Sequence, residues 1–184
     1  MRTAIIIAAF GLVALIGGCV RSLHPLFNEE DLVFEPSLVG TWSEEYDEDT
    51  WTFQKSGENA YDLIVTEGGL PAGFDAKLGR LGSYLFLDLY PQEPDIKNDF
   101  YKFHLIPAHT FSRVWLEKDS LHLSMLDNDW LKDMIDQGEL NIEHELLDGG
   151  IVLTTATDIL QEFVVKYAED DRAFPVPGKL LRQD

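Results

Sequence analysis

The only thiol in this chain, Cys19, directly follows Gly17-Gly18 and a thirteen-residue apolar run, residues 4–16. One sulfur can accept a covalent group or act as a nucleophile, but with no second cysteine it cannot close an intramolecular disulfide. The five histidines, His24, His104, His109, His122 and His144, never recur at the i, i+4 spacing of a helical zinc site. His104 and His109 flank Pro107, where a hairpin would bring them toward each other across two strands. Ser83 lacks the G-x-S-x-G context of an exposed nucleophile. The acidic run at 44–49 offers several carboxylates to a hard cation, yet it lacks the alternating ligands and central glycine of a calcium loop. Among 33 acidic residues no carboxylate pair stands out for glycoside chemistry, and no Gly-rich phosphate loop occurs. The sequence assigns no catalytic residue, no metal ligand and no cofactor.

The formal charge is −19, from 33 acidic and 14 basic residues. Such a surface repels phosphate backbones and anionic headgroups, which excludes nucleic acid as a partner and argues against electrostatic adhesion to anionic lipid.

Beyond residue 38 the hydrophobic period is two. Trp51 and Phe53; Tyr61, Leu63 and Val65; Phe74, Ala76 and Leu78; Tyr101, Phe103 and Leu105; and Leu121, Leu123 and Met125 each alternate with more polar neighbours. These bursts predict half-buried antiparallel strands, nine or ten in all, joined at Ser56-Gly57, Gly68-Gly69, Lys118-Asp119 and Asp148-Gly149. Residues 83–89 are more continuously apolar, which predicts a strand covered on both faces. Two stretches carry helical spacing instead. Trp130, Leu131, Met134 and Ile135 predict a helix over 129–137 that stops at Gly138. Leu160, Phe163, Val164 and Tyr167 predict one over 157–168. The expected fold is mainly β: an antiparallel barrel or sandwich with two short amphipathic helices. The barrel has the advantage of leaving no strand edge open.

The N-terminal apolar run is shorter than the roughly 20 residues of a membrane span and within the roughly 7–15 of a secretion-signal core. Leu15-Ile16-Gly17-Gly18-Cys19 resembles the lipobox of bacterial lipoproteins. The resemblance implies cleavage after Gly18 and a diacylglyceryl thioether on Cys19; an uncleaved anchor helix is the other reading. It divides the chain into a signal peptide (1–18), a lipid-anchored tether and lead-in (19–37) and one β-rich domain (38–184). Because Val20 rather than aspartate follows the cysteine, the same resemblance points to the periplasmic face of an outer membrane. The stretch from Ser22-Leu23-His24-Pro25 to Gly40-Thr41-Trp42 also looks like a group of bacterial lipoproteins that carries no activity with it.

Gly40-Thr41-Trp42 resembles the glycine-x-tryptophan motif on the first strand of lipocalins and fatty-acid-binding proteins, the calycin barrels. That resemblance implies that Trp42 plugs a closed barrel end beneath an arginine from near the C-terminus, here Arg182. The second lipocalin motif has no counterpart. The aromatics Trp42, Trp51, Phe53, Tyr101, Phe103 and Trp115 then either line a pocket for a hydrophobic small molecule or fill the core. The expected partners are a membrane, through the lipid, and either such a ligand or an envelope protein.

Overall fold

A computed structural model describes residues 20–147 and 149–183. The proposed signal segment and Cys19 itself lie outside them. Eight strands form a closed antiparallel barrel in the order β11-β2-β3-β4-β5-β6-β7-β8. They are β2 (Gly40–Ser43), β3 (Thr50–Lys55), β4 (Tyr61–Glu67), β5 (Leu70–Leu81), β6 (Tyr84–Pro91), β7 (Thr110–Leu116), β8 (Ser120–Met125) and β11 (Gly178–Arg182). Strands β2 to β8 follow one another as a meander, and β11 closes the ring by pairing with both β8 and β2. Closure satisfies every ladder, so the sandwich alternative is excluded.

The excursion from β8 to β11 holds α2 (Asn128–Asp136), a hairpin of β9 (His144–Leu147) and β10 (Gly150–Leu153), and α3 (Thr157–Tyr167). Asp127 caps α2 by accepting the Trp130 N–H at 2.7 Å. A two-residue strand near the N-terminus, β1 (Arg21–Ser22), pairs in parallel with β10, making a small sheet β1-β10-β9.

Two apolar cores result, and strand alternation sorts residues between them. Inside the barrel lie Trp42, Phe53, Tyr61, Leu63, Ala76, Leu78, Leu87, Leu121 and Leu180. Outside it, Phe86 and Phe111 meet Trp130 and Leu131 of α2, Ile151 and Leu153 of β10, and Leu160, Phe163 and Val164 of α3. The helices therefore pack on the barrel's flank instead of closing an end. Because β6 separates the two cores, Phe86, Leu87 and Asp88 are all buried, as the unbroken apolar run predicts.

Two expectations are corrected. Residues 101–106 form no strand: β6 and β7 already pair directly, from Leu85 opposite Val114 to Leu89 opposite Thr110, so no vacant ladder awaits another strand between them. A four-residue helix, α1 (Asp99–Lys102), takes that place, with the Asn98 side chain accepting the Tyr101 N–H. Tyr101 and Phe103 consequently point to solvent, 58% and 83% exposed, and line nothing. Trp115 belongs to the outward set of β7 with Phe111 and Arg113, while Ser112, Val114 and Leu116 point in; its ring carries the Arg113 guanidinium at 4.4 Å. The lead-in packs on the barrel: Val20, Leu26 and Phe27 are buried in the outer core, and a short 3-10 helix at Glu29–Asp31 turns the chain.

The lead-in then covers one barrel end. Phe34 stacks on Tyr61 at 5.1 Å, and Leu38 sits beneath Trp42. The phenol of Tyr61 accepts the Glu35 N–H at 2.7 Å and donates to the Glu35 carbonyl at 3.2 Å. Phe27 lies flat against Gly79 on the barrel's outer wall, where any β-carbon would strike the ring.

Candidate functional site: a plugged end and an open apolar mouth

At the covered end Trp42 is completely buried, and its indole N–H donates to the Leu38 carbonyl at 2.9 Å. The Arg182 guanidinium lies 4.3 Å over the ring, donating to the carbonyls of Val39 (3.0 Å) and Ser37. Here the cation is held by the indole face and by fixed carbonyl dipoles rather than by a carboxylate. Gly40 adopts φ +141°, and its open hydrogen side admits the guanidinium.

At the opposite end the connections β2–β3, β4–β5 and β6–β7 surround the barrel rim. There the inward residues Trp51, Val65, Phe74 and Leu89 are packed on the interior core but are only partly buried. Interior side chains are fully buried at Trp42, Phe53 and Tyr61 and partly buried at Trp51, the cross-strand partner of Trp42. The acidic loop at 44–49 forms part of this rim. Its Asp49 carboxylate accepts the Gly68 N–H from the β4–β5 turn at 2.7 Å, tying two rim loops together. On the β6 side Gln92 donates to Asp75 at 2.9 Å and, through its backbone, to the Gly73 carbonyl.

The structure divides the aromatics singled out from sequence. Trp42, Trp51 and Phe53 converge inside the barrel; Trp51 and Phe53 have ring centroids 6.4 Å apart. Tyr101, Phe103 and Trp115 lie outside it. His104 and His109 do not meet: His104 Nδ1 contacts the Phe100 carbonyl, and His109 faces Asp88. Among the described residues no three His, Cys, Asp or Glu converge as metal ligands would.

One pair escaped sequence reasoning. Asp88 is buried on the outer face of β6, its Oδ2 accepting the Leu26 N–H at 2.8 Å and its Oδ1 lying 2.9 Å from His109 Nδ1. The His109 ring rests on Tyr90 at 4.6 Å, and its backbone exchanges two hydrogen bonds with Ser22. With both oxygens so engaged, the carboxylate clasps the N-terminal segment to the barrel. The available signal was an aspartate within an otherwise apolar strand, since buried carboxylates need partners.

No helix among the described residues is long and apolar enough to cross a membrane. Compared with family models, curated proteins and solved structures, the chain matches none.

Proposed function

We propose that this chain is a lipid-anchored envelope lipoprotein whose barrel takes up a hydrophobic small molecule at its open end, without catalysing a reaction. The supporting observation is the set of inward apolar side chains that are only partly buried, Trp51, Val65, Phe74 and Leu89, in a barrel whose other end is covered by the lead-in and Arg182. A ligand entering the mouth would cover their exposed surface, gaining the hydrophobic contribution of each partly exposed side chain. The lipobox-like Leu15-Ile16-Gly17-Gly18-Cys19 and the calycin-like Gly40-Thr41-Trp42 support the anchor and the binding role respectively. A glycerolipid on Cys19 carries two acyl chains, enough for stable attachment where one alone is marginal.

Native mass spectrometry of the chain extracted from its membranes tests both parts. A covalent lipid mass on a chain beginning at Cys19, with a further dissociable apolar mass, is the expected result. An intact Met1 start with free sulfur contradicts the anchor, and absence of any dissociable mass contradicts the ligand.

A second reading, an accessory subunit of an envelope complex, is favoured by one observation. Phe100, Phe103 and Ile106 are 76%, 83% and 79% exposed on and after α1, an apolar group suited to a protein partner. Crosslinking in membranes from a photoreactive residue at Phe103 distinguishes the readings, since a ligand-binding barrel needs no protein at that site.

A further inference from the structure

Between Cys19 and the folded body there is no linker. Val20, the next residue, is 4% exposed within the outer core. From Arg21 onward the chain is locked: Arg21 lies opposite Val152 and Ser22 opposite Leu153, and Leu23 donates to the Leu153 carbonyl at 2.9 Å. Consecutive α-carbons are only about 3.8 Å apart. An acylated Cys19 would therefore hold the domain against the leaflet surface with little freedom to tilt.

The turn of the β9–β10 hairpin sits beside this starting point. β1 runs parallel to β10, and Arg21 pairs two residues past the β10 start at Gly150. The hairpin tip carries Leu146 and Leu147, 59% and 56% exposed although both are large and apolar.

We infer that the β9–β10 hairpin tip is a membrane-contact element, with Leu146 and Leu147 seated in the leaflet that holds the Cys19 acyl chains. The inference rests on the acylation of Cys19 proposed above. The leaflet is the occupant because the chain's own attachment point brings it to this tip. The apolar group at residues 100–106 lies instead past the other end of β1, on the segment that leads into His109, the bridge partner of Ser22. In this orientation the acidic body stands above the bilayer, and contact is made by Leu146 and Leu147.

Acylation of Cys19 leaves a cysteine introduced elsewhere as the only free thiol, so the full chain can be spin-labelled at Leu147→Cys or Phe103→Cys. The labelled, lipid-bearing protein is reconstituted into vesicles of phosphatidylethanolamine and phosphatidylglycerol. Collision with oxygen and with a water-soluble nickel chelate is then measured, and mass analysis of the N-terminal peptide is run on the same samples. The label at 147 is expected to lose nickel collisions and gain oxygen collisions on reconstitution, while the label at 103 stays accessible to nickel. Lipid on Cys19 with equal nickel access at both labels overturns the inference and leaves the anchor standing. Unmodified Cys19 overturns both.

Discussion

Arg182, the last residue of β11, lies 4.3 Å above the indole of Trp42 on β2, and its nitrogens donate to carbonyls of the segment that covers the barrel end. One side chain thus joins the closing strand, the first barrel strand and the lead-in. Removing the ring should open a large internal hole. Trp42→Ala is expected to destabilise the fold by about 3–5 kcal/mol, read by chemical denaturation.

Substituting the cation without removing its charge separates geometry from electrostatics. A lysine at 182 keeps the charge but not the planar fork that reaches two carbonyls while covering the ring. Arg182→Lys should cost about 1–2 kcal/mol, the scale of one or two hydrogen bonds. Equal stability of variant and parent in urea would show that charge alone suffices there.

Burial of the Tyr61 phenol raises its pKa above the ordinary tyrosine value, with the Glu35 carboxylate adding to the rise and its backbone opposing it. The folded state thus holds this proton more tightly than the unfolded chain does. Its contribution to stability is complete below the ordinary phenol pKa and is lost as pH rises through the higher folded value. Tyr61→Phe should be less stable near neutrality, having left the Glu35 N–H without its acceptor. It should also lose less stability than the parent across the alkaline range, as pH-dependent urea midpoints would record.

Asp88 holds the N-terminal segment through Leu26 and His109. Asp88→Ala should lower stability by about 1–3 kcal/mol, the cost of leaving buried donors unpaired. Hydrogen exchange gives the specific readout: the Leu26 amide should lose protection while interior amides of β4 keep theirs. Uniform loss across the barrel would contradict a local clasp.

Much of the barrel was legible because alternation survives wherever a strand has one face on a core. Tyr61, Leu63 and Val65 point inward as their spacing implies, and the helices at Asn128–Asp136 and Thr157–Tyr167 fall within a residue or so of their patterned stretches. Period two could not reveal whether a neighbour was free to pair, so Tyr101 and Phe103 read as strand residues although β6 and β7 leave them no ladder. Nor could it say which face was the interior. Trp115 alternates correctly but on the outer set, because a second core on the barrel's flank makes both faces of β7 apolar. The contact of Trp42 with Arg182 spans nearly the whole domain; it was legible only through a resemblance, since no local pattern links residues that far apart. The Asp88–His109 pair had no such guide.

Uptake of a neutral apolar fluorophore, N-phenyl-1-naphthylamine, tests the binding claim most directly. Saturable uptake is expected, one per chain, with energy transfer from Trp51, abolished by Leu89→Glu or Val65→Gln in proteins whose near-ultraviolet circular dichroism is unchanged, and unaffected by Phe103→Ser. Non-saturable uptake, or uptake that survives both mouth substitutions and vanishes with Phe103→Ser, would contradict it and assign the apolar surface outside the barrel.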